Sequence, residues 1–186
     1  VADFARLATS ADRGRSWHRL HPPLAREELI EALAITRSRV WIATSNGRLL
    51  AYHAGRWTQR LAARTLTTTF GQDTLSVDPR DDASAVIARS DGVWRVTDTA
   101  TRVLPEDALV LSVARLATDP DVLVTGPDPL LLSTDAGRTW TPAGRISRRP
   151  SIWPIYVRSD GAALDAVTVS PDLTHVLALP LPAASR

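Results

Sequence analysis

The chain has 186 residues, 44% of them apolar, and its 22 basic and 20 acidic side chains leave a net charge of +2 at pH 7. That length suits one domain with a sizeable core, and the lack of cysteine excludes disulfides, thiolate metal sites and a cysteine nucleophile. Every basic residue is an arginine and none form a basic stripe, so no nucleic-acid partner is expected; no apolar run is long enough for a membrane span.

The opening residues, VADFARLATSADR, carry charges at Asp3 and Arg6 without an apolar core and do not read as a signal peptide. The chain begins with Val and contains no Met, which points to a mature product or a fragment. Next comes SADRGRSW, Ser10 to Trp17, and the same pattern, S-x-D-x-G-x-[ST]-W, returns as STDAGRTW, Ser133 to Trp140. Asp12 and Asp135 stand 123 residues apart, three steps of 41. Between the two boxes, three series of short segments recur at about that period. One starts at Trp17, Trp57, Thr101 and Trp140. A second starts at Val40, Ala85 and Asp121. The third starts at Ala32, Thr74, Ser112 and Ala166. Each segment is apolar or β-branched and bounded by Gly, Pro, Asn or Asp, the signature of strands joined by tight turns. Asn46-Gly47 and Asp91-Gly92 are hairpin signals, and Asp78 opens another turn. LAREELIEAL, from Leu24, is helix-like and reads as a connection.

Four strands per unit of about 40 residues predict an all-β chain, a β-propeller or partial propeller of about four four-stranded blades in a single domain. The units fall near 1–21, 30–62, 66–105, 109–144 and 164–180, with a connection over 145–163. The first unit reads as starting at a third strand and the last as ending after a second. The two halves then complete one blade and close the ring. The alternative is a piece of a longer ring whose open edges are covered by further blades.

Each box falls between a third and a fourth strand and is therefore a turn. Asp12 and Asp135 accept backbone N–H groups, Gly14 and Gly137 give the reversal its freedom, and Ser10, Ser16, Ser133 and Thr139 add side-chain bonds. Trp17, Trp57 and Trp140 are expected to be buried between units. The two boxes resemble the Asp-box, or bacterial neuraminidase repeat, found in sialidases, xyloglucan-cleaving glycoside hydrolases, sortilin-type receptors and photosystem II assembly factors. The resemblance implies a propeller whose boxes lie away from the ligand face. It names no single activity.

The catalytic signals are weak. The four histidines, His18, His21, His53 and His175, show no ligand spacing beyond the isolated pair His18 and His21, which reads as exposed residues after a strand, so neither a metal nor any other cofactor is expected. The sialidase chemistry that the resemblance brings in needs three arginines, a Tyr–Glu pair and an Asp. This chain has two tyrosines, Tyr52 and Tyr156, and four glutamates: Glu27, Glu28, Glu31 and Glu106. Two-carboxylate glycoside hydrolysis stays open as the second reading. The first is a non-catalytic scaffold for a protein or carbohydrate ligand. Its candidate contacts lie where the period breaks: Arg145, Arg148, Arg149, Trp153, Tyr156 and Arg158 combine guanidinium groups and aromatic rings suited to anionic or sugar ligands.

Overall fold

The structure is a computed structural model. It describes residues 2–3, 6–64, 74–78, 80–104, 110–116, 119, 121, 123–127, 130–144, 156–159, 164–169 and 176–181. Among these, all regular structure is β, in five antiparallel sheets. The first holds β1 (Ala2–Asp3), β2 (Arg6–Thr9) and β3 (His18–Leu20). The second holds β4 (Ile30–Ile35), β5 (Val40–Thr44), β6 (Leu49–His53) and β7 (Arg56–Leu61). The third holds β8 (Thr74–Asp78), β9 (Asp81–Arg89), β10 (Gly92–Val96) and β11 (Ala100–Leu104). The fourth holds β12 (Val110–Arg115), β13 (Leu123–Pro127), β14 (Leu130–Ser133) and β15 (Thr141–Gly144). The fifth holds β16 (Tyr156–Ser159), β17 (Leu164–Val169) and β18 (Val176–Leu181).

In every sheet each strand pairs with its neighbour in sequence, so each is a meander built on local turns. The first strands β4, β8, β12 and β16 stand side by side on the inner edge. Alternation then gives each sheet two apolar faces. In the second sheet Val40, Ile42 and Leu50 pack with Leu7 and Leu20 of the first. Trp41, Ala43, Leu49 and Ala51, on the opposite face, pack with Ala85, Ile87 and Val96 of the third. The third sheet in turn packs Val86, Ala88 and Val93 against Val113, Leu123 and Trp140 of the fourth. Sheets thus stack in chain order. Each fully buried Leu, Ile or Val at these junctions contributes about 1.5–3 kcal/mol.

Three expectations are corrected. The stretch from Leu24 is no helix: Glu27 has φ +64° and β4 begins at Ile30. Glu28 folds back to accept the Ala25 N–H at 2.7 Å and the guanidinium of Arg48, so tertiary pairing overrides local helix propensity. Ala166 lies on the second strand of the last sheet, because Tyr156–Ser159 forms a first strand inside the stretch read as a connection. Among the described residues the first and last sheets hold three strands each, where the reading had two halves of one blade. The third correction concerns Trp17, which is 50% exposed, whereas Trp57 and Trp140 are partly buried. All three precede equivalent outer-strand positions, paired with Thr9, Ala51 and Leu132. Trp140 packs on the sheet before its own, and Trp57 joins the cluster shared with the preceding sheet. Among the described residues no sheet precedes the first, so Trp17 has no such neighbour.

Candidate binding face

Hydrogen bonds within the turns and connections separate two ends of the stack. At one end lie the turns between third and fourth strands. In the second box, Ser133 Oγ donates to Asp135 Oδ1 at 2.9 Å and accepts the Gly137 N–H at 2.9 Å. Asp135 accepts the N–H groups of Thr139 and Arg138 at 2.9 and 3.0 Å and the Thr139 hydroxyl at 2.7 Å. The first box repeats the pattern: Gly14 N–H to Ser10 at 2.7 Å, Ser16 N–H and hydroxyl to Asp12 at 2.8 and 2.6 Å. Left-handed pairs Arg13-Gly14 and Ala136-Gly137 make the reversal, and Ala54-Gly55 makes it in the second sheet without the aspartate. A Cβ on Gly137 would stand 3.4 Å from Val86 of the preceding sheet, at the edge of ordinary contact, so its φ of +82° is what calls for glycine there. Hydroxyl and N–H donors from Ser16, then Ser10, hold Asp12 down to about 2. Burial pushes Asp135 up, but the bonds from Thr139, Ser133 and Arg138 outweigh it and leave the carboxyl below its usual range. The box carboxylates are thus occupied within their own turns.

Turns between first and second strands share this end. The Ala136 N–H donates to the Asp121 carbonyl at 2.9 Å, and Arg80 reaches Asp78 at 3.1 Å and Asp121 at 2.6 Å. Ser38, His53 and Asp82 also meet here. Ser38 Oγ donates to Asp82 at 2.5 Å and lies 3.4 Å from His53 Nδ1, which itself sits 3.1 Å from the Ser38 carbonyl. The carboxylate thus engages the serine directly and does not orient the imidazole, so the relay of a nucleophilic triad is missing from this cluster. Bonds from Ser38 and Thr36 lower Asp82 to about 2.

The opposite end is made by turns between second and third strands together with the connections that link one sheet to the next. The Ser45 N–H donates to Leu29, and the Arg64 N–H to Asn46. Arg48 clamps Glu28 and the Pro23 carbonyl; burial pushes Glu28 up, and the bonds from Arg48 and Ala25 outweigh it to keep the carboxyl low. Arg89 grips Asp91, stacks on Trp94 at 5.3 Å and donates to the carbonyls of Gly47 and Ala62. These guanidinium clamps were not singled out by motif. Their only sequence signal is an arginine flanking each of the Asn46-Gly47 and Asp91-Gly92 turns.

Of the candidate ligand contacts, Arg145, Arg148, Arg149 and Trp153 lie outside the described residues. Tyr156 and Arg158 fall on β16, paired with Val167 and Asp165. Thr141 begins β15 beside the box, so Gly144 ends that strand at the opposite end. β16 starts at this same end, since its turn to β17 follows Ser159.

No family model matches the chain, and neither does any curated protein. Solved structures do match. YCF48 bound to D1 peptide has a TM-score of 0.59 at 16% identity, covering 95% of this chain and 60% of that one. The GH74 xyloglucanase from Xanthomonas campestris has a TM-score of 0.62 at 18% identity, covering 94% of this chain and 26% of that one. The C-terminal WD40 domain of Sif2 has 0.54 at 13%, covering 94% and 50%. The fold is a β-propeller. This chain spans less than two thirds of each of these neighbours, and identities of this size carry the fold alone. Its five sheets are the blades, and the arginine clamps sit on the end of the blades away from the boxes. Among the described residues no helix is long and apolar enough to cross a membrane.

Proposed function

We propose that this chain is an Asp-box propeller, or part of one, that acts as a non-catalytic scaffold and holds a protein segment at the end opposite the boxes. The observation that carries the reading is the route of the chain: β15 finishes and β16 starts at that end. The connection between them holds Arg145, Arg148, Arg149 and Trp153, residue types that dominate recognition energies. Support also comes from the carboxylates. Asp12, Glu28, Asp78, Asp82, Asp91 and Asp135 are all held low by donors, whereas a general acid needs a raised pKa. YCF48, a neighbour in fold, is itself bound to a peptide.

The second reading, a glycoside hydrolase or a fragment of one, is favoured by the GH74 xyloglucanase neighbour. One experiment addresses both. The chain and its Arg148→Ala/Arg149→Ala variant are screened against an array of acidic peptides and anionic glycans, and incubated with xyloglucan. The scaffold reading expects peptide capture that weakens in the variant at an unchanged melting temperature. Release of oligosaccharide from xyloglucan overturns it in favour of the enzyme.

A further inference from the structure

Among the described residues, four other than glycine have positive φ. Arg13, Ala54 and Ala136 each precede a glycine in a hairpin at the box end. Glu27, with φ +64°, stands apart from them, in the connection between the first two blades at the opposite end. It takes the third place of a four-residue turn, Ala25 to Glu28, which the Glu28 N–H closes on the Ala25 carbonyl at 3.2 Å. Glycine or asparagine is the ordinary choice at such a place, because a Cβ crowds the backbone at positive φ.

The turn is fixed from beneath. The buried Glu28 carboxylate accepts the Ala25 N–H at 2.7 Å and Arg48 Nε at 2.9 Å, and Arg48 also donates to the Pro23 carbonyl at 2.8 Å. Just before it, the Leu24 N–H closes on the Pro22 carbonyl at 2.8 Å. The tip held in this way packs on nothing. The side chains of Arg26 and Glu27 are 96% and 87% exposed and meet only each other, at 3.9 Å. Stability does not account for a strained residue whose side chain buries no surface, and strain of this kind marks places kept for contact. The chemistry of the contact follows from the other carboxylates. In the described turns and connections of this end, Glu28 and Asp91 are each gripped by an arginine, whereas Glu27 faces open solvent.

We infer that Glu27 is a recognition residue that takes a basic side chain of the protein segment held at this end; the inference rests on the reading of that end as the binding face. The exposed pair with Arg26 contributes little in water, so Glu27 gives it up at small cost. A guanidinium meets a carboxylate with two parallel hydrogen bonds, and a turn already locked in place loses little freedom on making them. The partner therefore carries both signs of charge: acid where this chain offers Arg148 and Arg149, and a base where it offers Glu27. Such complementarity selects between partners more than it adds raw affinity.

The test uses an array of short end-blocked peptides, each carrying glutamates and a single arginine, and a matched array in which citrulline, the neutral isostere, replaces the arginine. Wild type, Glu27→Gln and Glu27→Gly are compared on both. Wild type is expected to hold arginine peptides at least tenfold more tightly than their citrulline counterparts. Glu27→Gln keeps the turn and removes the charge, so it loses that preference at an unchanged melting temperature. Glu27→Gly loses the preference without lowering the melting temperature, because glycine relieves the positive φ. A preference that survives Glu27→Gln overturns the inference. So does a fall in melting temperature in Glu27→Gly, which would assign the glutamate to the fold. Equal capture of both arrays, still weakened by Arg148→Ala/Arg149→Ala, overturns the role of Glu27 and leaves the binding face standing. Capture of neither array overturns both.

Discussion

Arg89, on the second strand of the third blade, donates to the carbonyl oxygen of Ala62, which follows the outer strand of the second blade, at 2.9 Å. The same buried guanidinium holds Asp91 and the Gly47 carbonyl, so one side chain ties a turn and a connection of one blade to a turn of the next. Replacing it with Ala takes the guanidinium from two carbonyls and from a partly buried carboxylate that keeps the Trp94 indole N–H at 3.1 Å, and we expect a loss of about 3 kcal/mol in urea unfolding. Arg89→Lys should recover little of this. A single ammonium cannot reproduce the planar fork that serves Asp91 on one side and the carbonyls on the other. Recovery of wild-type stability by lysine would show that charge alone matters at this junction.

The boxes supply an internal control. Ser133 is buried and Ser10 lies near the surface, yet both hydroxyls take a glycine N–H and donate to their aspartate. Ser133→Ala leaves the buried Gly137 N–H unsatisfied and should cost about 1–3 kcal/mol. Water replaces the lost bond at Gly14, so Ser10→Ala should lower the melting temperature much less. Equal losses at both positions would mean that burial does not set the worth of the box.

The low carboxylates fix a direction for pH. Asp12 is held at about 2 against an ordinary value of 3.8. A group with a depressed folded pKa adds stability above its unfolded pKa and loses it as pH falls through the folded one. The melting temperature should therefore be flat above pH 5 and drop between about pH 4 and pH 2. Glu28, Asp78 and Asp135, lowered in the same direction, steepen the drop. In Asp12→Asn the fall over that window should be shallower, because the charged form no longer earns its bonds from Ser16 and Ser10. An unchanged slope would contradict the hydrogen-bond origin of the shift.

Local signals were the legible ones. Asn46-Gly47, Asp91-Gly92 and the two boxes mark turns because their residues tolerate left-handed backbone or accept its N–H groups, and the structure reverses at each. The series starting at Trp17, Val40 and Ala32 correspond to the outer, second and inner strands until Ala166, where the register fails. The segment from Ala166 fits the inner-strand series by its apolar residues, so Tyr156–Ser159, which is β16, is absorbed into the connection before it. Glu28 was misread for another reason. Its partner Arg48 is 20 positions away, and no local pattern records such a bond. The candidate ligand contacts were legible only as composition, since a break in period marks a place without describing a shape.

Trp17 and Trp140 allow the last prediction, because the repeat gives them one position and the structure gives them two environments. Trp140 packs against a cluster that joins Val86, Ala88 and Val93 of the preceding blade to Leu123 of its own. Trp17 is half exposed and spends its indole N–H on its own turn, at 3.1 Å from the Gly14 carbonyl. Truncating a packed aromatic to Ala costs about 3–5 kcal/mol in a full core, so Trp140→Ala should approach the lower end of that range. Trp17→Ala should cost roughly 1 kcal/mol or less, since half of its surface already meets water. Chemical denaturation of the two variants checks the pair. A cost at Trp17 matching that at Trp140 would mean that in solution its exposed face is covered.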